Sequence, residues 1–129
     1  KREGLEQLRH WAERGELGEI VVVALGTNDA GLFNHERQKQ NLDEVRRIVR
    51  HREVFIVTAQ ALGTRSERMN RWNKAATEWC ENDASCKIVP WASDPAARSR
   101  DTYASDGVHL TVDGTKRRAL LIAATVRGA

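Results

Sequence analysis

The chain has 129 residues and a mass of 14.5 kDa, room for one domain. Charged residues make up 30% and the hydrophobic set 40%, which permits a modest core and argues against wholesale disorder. Lys and Arg number 21 against 18 acids, a net +3 dispersed along the chain, without the massed charge of a nucleic-acid binder. No apolar run approaches the ~20 residues of a membrane-spanning helix, and no signal-peptide pattern opens the chain. The first residue is Lys1 rather than a methionine, so the expectation is a portion of something longer.

In chain order, Leu5, Leu8, Trp11 and Ala12 stripe one face of a helix over residues 4–14, ended by Gly15. Ile20 to Leu25 is an unbroken apolar, β-branched run, the pattern of a strand covered on both faces. Leu42, Val45, Ile48 and Val49 mark a charged helix from Glu36 to Arg50, and Val54 to Val57 repeats the buried-strand pattern. Ser66 is the expected cap of a third helix carrying Met69, Trp72, Ala76 and Trp79. Ile88 and Val89 form a short third strand closed by Pro90, and Ser93-Asp94-Pro95 begins a short helix. The last helix spans Val112 to Arg127, with Leu120, Ala123 and Val126 or Arg127 inward. Strands separated by helices imply parallel pairing through right-handed crossovers, an α/β layer fold. A leading helix with no strand before it, and a sheet of only three strands, imply at least one strand upstream of Lys1.

Ligands of open parallel sheets bind beyond the carboxyl ends of the strands. The first strand runs into Gly26-Thr27-Asn28-Asp29. Gly26 lets the backbone turn and Asn28 can donate a hydrogen bond; taken alone, the tetrapeptide is an ordinary turn. The polar loop Gln60 to Arg65 after the second strand carries nothing specific. Ser105-Asp106-Gly107-Val108-His109-Leu110-Thr111 precedes the last helix. The Asp106/His109 spacing lets a carboxylate hold one imidazole nitrogen while the other faces a reacting hydroxyl. An isolated Asp-x-x-His is ordinarily a turn-capping acid beside a surface histidine; its place at the sheet's carboxyl edge puts the catalytic reading on equal footing.

His10, His35 and His51 are accounted for by solvated helix faces, no side chains show metal-ligand spacing, and the phosphate-binding glycine loops are absent. No cofactor is implied. Cys80 and Cys86, six positions apart, favour a local disulfide over two separate buried thiols, and with it an oxidising compartment. Trp11, Trp72 and Trp79 read as core residues, whereas Trp91, just past the third strand, is placed to reach a pocket.

Gly26-Thr27-Asn28-Asp29 after a buried strand, with Asp106-Gly107-Val108-His109-Leu110-Thr111 before the last helix, resembles the third and fifth blocks of the SGNH (GDSL-like) hydrolase family. The resemblance implies a three-layer α/β/α fold and a serine esterase or O-acyltransferase acting on an acyl ester or glycan. Carried over residue by residue, it makes His109 the general base, Asp106 its orienter, Asn28 an oxyanion donor and Gly26 the shaper of that loop. The family's Gly-Asp-Ser block does not occur in the chain, so the resemblance places the nucleophile upstream. The expected Cys80–Cys86 disulfide and the expected start within a longer protein resemble extracytoplasmic SGNH domains attached to membrane acyltransferases. Two other classes stand beside this reading: an inert α/β module binding a glycan or protein partner, and a flavodoxin-like nucleotide binder weakened by the missing phosphate loop.

Overall fold

A computed structural model describes residues 4–24 and 34–129. Among them, helix α1 (Gly4–Glu13), strand β1 (Ile20–Val23), helix α2 (His35–Val49), strand β2 (Glu53–Val57), helix α3 (Ser66–Glu81), strand β3 (Cys86–Val89) and helix α4 (Val112–Arg127) follow the expected order. The strands form one parallel sheet, β1-β2-β3, with Val21 opposite Val54 and Ile56 opposite Ile88. The short helix expected after Pro95 is a 3-10 segment, Pro95–Arg98, capped by the Asp94 side chain accepting from the Ala96 N–H at 2.9 Å.

Alternation of side chains along the strands divides the core in two. On one face, Val21, Val23, Val54 and Ile56 meet Leu42, Val45 and Val49 of α2 and Met69, Trp72 and Ala76 of α3. On the other, Phe55, Val57, Val89 and Trp91 meet Leu121, Ile122 and Val126 of α4. The result is the three-layer α/β/α arrangement implied by the sequence. Cys80 and Cys86 are joined as a disulfide that ties the end of α3 to the start of β3. Arg46 reinforces the same corner, donating to both carboxylate oxygens of Asp83 at 2.7 and 2.9 Å.

Four expectations need correction. Trp11 is not a core residue: it is 46% exposed, because the inward stripe of α1 runs through Leu5, Leu8 and Ala12 and leaves Trp11 at its margin. The β1 strand is covered on one face only. Ile20 and Val22 stand 45% and 42% exposed, since α4 packs over β2 and β3 and does not reach them. Leu120 is 68% exposed; the inward residues of α4 are its neighbours Leu121 and Ile122. Ser66 makes no side-chain cap, because the 3-10 turn Gly63–Arg65 winds directly into α3 and Arg65 holds the cap position. His35 keeps the solvated position expected of it, with 42% of its side chain exposed, and also pairs its Nε2 with Glu78 at 3.2 Å across α2 and α3.

Candidate active site

The carboxyl ends of β2 and β3 are stitched together before any catalytic group is placed. Thr58 donates its backbone N–H and its hydroxyl to the Val89 carbonyl, at 3.1 and 3.3 Å, and its hydroxyl accepts from the Ala92 N–H at 2.9 Å. The Asn73 amide clamps the peptide of Ala59, accepting from its N–H at 2.7 Å and donating to its carbonyl at 2.8 Å. A polar loop that carries no sequence signal is thereby held as a rigid shelf.

The segment bearing His109 is held just as closely. Tyr103 and Leu110 form an antiparallel bridge, the Ala104 N–H donates to the His109 carbonyl at 2.8 Å, and the Thr111 N–H donates to Thr102 at 3.0 Å. Gly107 makes the turn possible. Its φ of 71° lies in the left-handed region, where a side chain is strained, and its carbonyl accepts from the Leu62 N–H at 2.9 Å, joining this loop to the shelf after β2. Thr111 then caps α4, its hydroxyl accepting from the Gly114 N–H at 3.1 Å.

Gly114 sits against the backbone of the segment before the loop: an added Cβ would stand 2.2 Å from the Thr102 carbonyl oxygen. Gly114→Ala is therefore expected to lower stability by about 1–3 kcal/mol through overpacking, outweighing the gain of about 1 kcal/mol in helix propensity. Urea denaturation checks this; an equally or more stable variant would show that α4 can shift without cost.

Within this frame Asp106 and His109 meet. The His109 Nδ1 lies 2.5 Å from Asp106 Oδ2, while Asp106 Oδ1 accepts from the backbone N–H groups of Val108 and His109, both at 2.9 Å. Asp106 thus caps the turn and holds the ring at once. The His109 side-chain hydrogen bond is the largest cause holding the Asp106 carboxyl far below the ordinary carboxylate range, followed by the two backbone donors. A carboxylate against Nδ1 favours the tautomer with its proton there and leaves Nε2 as the acceptor. The imidazole is 81% exposed, and among the described residues no hydroxyl bonds to its Nε2.

Beside the pair, a recess at the ends of β1 and β2 is lined by Ala24, Thr58, Gln60, Val108, Leu110 and Arg118, with Trp91 beneath it. Trp91 reaches the pocket as expected, though it is buried as part of the core. Gln60, Thr58 and Arg118 were not singled out by the sequence. Arg118 stands in the run Lys116-Arg117-Arg118, and nothing in that run distinguishes the one guanidinium that turns inward. Its partial burial lowers its pKa from the ordinary arginine value. Gly26 and Asn28 lie outside the described residues. Among the described residues no three His, Cys, Asp or Glu side chains converge as metal ligands.

The sequence profile of the GDSL-like Lipase/Acylhydrolase family matches residues 2–117. The chain belongs to that family. Its GDSL-like fold recurs in solved structures of low sequence identity. A lipase/acylhydrolase from Enterococcus faecalis is 19% identical, with a TM-score of 0.78 over 95% of this chain and 69% of that one. TesA is 18% identical, with a TM-score of 0.76 over 97% of this chain and 71% of that one. A peptidoglycan O-acetylesterase is 18% identical, with a TM-score of 0.58 over 95% of this chain and 40% of that one. No curated protein matches the chain in sequence. Membership places the Asp106–His109 pair in a hydrolase family, and the GDSL-like chain carries that pair at the carboxyl side of its sheet.

Proposed function

We propose that this GDSL-like chain supplies the general base and its orienter to a serine ester hydrolase, with the nucleophilic serine on a segment outside the 129 residues. The observation that carries the reading is the Asp106–His109 contact at 2.5 Å with the rest of the ring open to solvent. In the proposed reaction, His109 Nε2 takes the serine proton as the serine oxygen attacks the ester carbonyl. The proton passes to the leaving alkoxide, and water repeats the sequence to release the acid. Asp106 keeps the ring oriented and stabilises the imidazolium. Asn28, with Gly26 shaping its segment as the family resemblance implies, would be the oxyanion donor, a contribution of about 3–4 kcal/mol for such a donor.

The sheet supports a partner segment. Among the described residues strand β1 is one edge of the sheet, with Ile20 and Val22 uncovered, an apolar surface that an additional strand and its connection would cover. The Cys80–Cys86 disulfide supports an extracytoplasmic setting. That setting agrees with a domain attached to a membrane acyltransferase, in which a sugar hydroxyl replaces water as acceptor.

Hydrolysis of p-nitrophenyl acetate tests the reading. Residues 1–129 alone are expected to match buffer, and the longer protein with the segment before Lys1 to turn the ester over. Turnover by residues 1–129 alone would overturn the placement of the nucleophile, and an inactive longer protein would favour the inert binding module.

A further inference from the structure

A second cavity, of about 300 Å³, lies between α3 and the turn after β3. It shares Thr58 and Gln60 with the recess beside His109, so the two are neighbouring parts of one surface. Its rear wall is fixed by hydrogen bonds already described, with Thr58 and Asn73 fully engaged by backbone partners. The other polar side chains that line it are Gln60, Asn70, Thr77, Ser93 and Arg98. None of these five makes a side-chain hydrogen bond or ion pair among the described residues, and the lining contains no carboxylate. Ile88 and Pro90 add a small apolar surface.

The groove between α2 and α3 shows what an ordinary charged surface of this chain looks like. There Lys39 pairs with Glu78 at 2.9 Å, Arg46 with Asp83, and the Trp79 indole donates to Asp43 at 2.9 Å. Its charges satisfy one another. In the cavity beside the site they do not: two amides, two hydroxyls and one guanidinium line a common space, and among the described lining residues no carboxylate neutralises the cation.

We propose that this cavity is a subsite for a polyhydroxylated anion, a sugar bearing a carboxylate, as the alcohol portion of the ester. Arg98 pairs with the carboxylate, and Gln60, Asn70, Thr77 and Ser93 exchange hydrogen bonds with the hydroxyls. Its assignment to the substrate rests on the esterase reading; its ability to bind the sugar does not.

The test therefore reads binding, not turnover. Glucuronate, glucose and acetate are titrated into the ¹⁵N-labelled protein, and backbone amide shifts are followed with the wild type, Arg98→Ala, Arg98→Lys and His109→Ala. Glucuronate is expected to shift the amides of Gln60, Asn70, Thr77 and Ser93 with an affinity at least tenfold above glucose or acetate. Arg98→Ala is expected to abolish that preference, Arg98→Lys to keep part of it, and His109→Ala to leave it intact. The amide spectra also report whether each variant keeps its fold. Equal affinity for glucuronate and glucose, equal affinity for glucuronate and acetate, shifts confined to other surfaces, or an unchanged preference in Arg98→Ala would each overturn the subsite. Glucuronate binding in a protein without esterase activity would uphold the subsite and overturn the esterase reading alone.

Discussion

His109→Ala in the longer protein is expected to reduce kcat for a short-chain ester by roughly 10²–10⁴-fold, the contribution of a positioned general base. In the proposed mechanism the substitution removes the group that accepts the serine proton and returns it to the leaving alkoxide. Its structural cost is small, because the ring is 81% exposed and the loop is held by backbone bonds at Ala104, Leu62 and Thr111 that alanine preserves. Circular dichroism should therefore match the wild type while turnover is lost. Full activity after the substitution would remove His109 from the mechanism.

Asp106→Asn separates orientation from packing. The asparagine Oδ1 can still accept from the Val108 and His109 N–H groups, but its NH₂ would then face His109 Nδ1. An amide donor there selects the tautomer with its proton on Nε2, the wrong nitrogen for a base. We expect kcat to fall by roughly 10²–10⁴-fold with the fold retained, by analogy with the corresponding change in serine-protease triads. The pH profile gives a second readout. Because Asp106's folded pKa is depressed, the stability it contributes is present above the ordinary carboxylate pKa of about 3.9 and lost as pH falls through the folded value. Asp106 therefore stays ionised throughout the neutral range, and its own protonation does not limit turnover there. A variant retaining wild-type turnover would leave Asp106 as a turn cap only.

Particular residues show why part of this was legible in the sequence. The buried run Val54 to Val57 and the charged helix striped by Leu42, Val45 and Val49 are each consistent with only one environment, and each adopts it. The contact between Asp106 and His109 was legible because a short loop with a glycine leaves few ways to arrange an Asp-x-x-His. Which face of α4 points inward was not legible: Ala119 to Val126 is apolar nearly all round, so Leu120 and Leu121 are indistinguishable by period. Exposure of Ile20 and Val22 depends on how far α4 reaches across the sheet, a tertiary property. The inward turn of Arg118 and the unpaired group around Arg98 are likewise set by packing between distant elements. Polar residues scattered over residues 58–98 carry no spacing that announces a shared cavity.

The central claim is that this chain holds the base while the nucleophile lies elsewhere in the same protein. Labelling the longer protein with a serine-reactive fluorophosphonate and mapping the adduct by mass spectrometry tests it most directly. The account predicts a single adduct on a serine upstream of Lys1, formed at least tenfold more slowly in His109→Ala. An adduct on a serine within residues 1–129, or a labelling rate indifferent to His109, would contradict it.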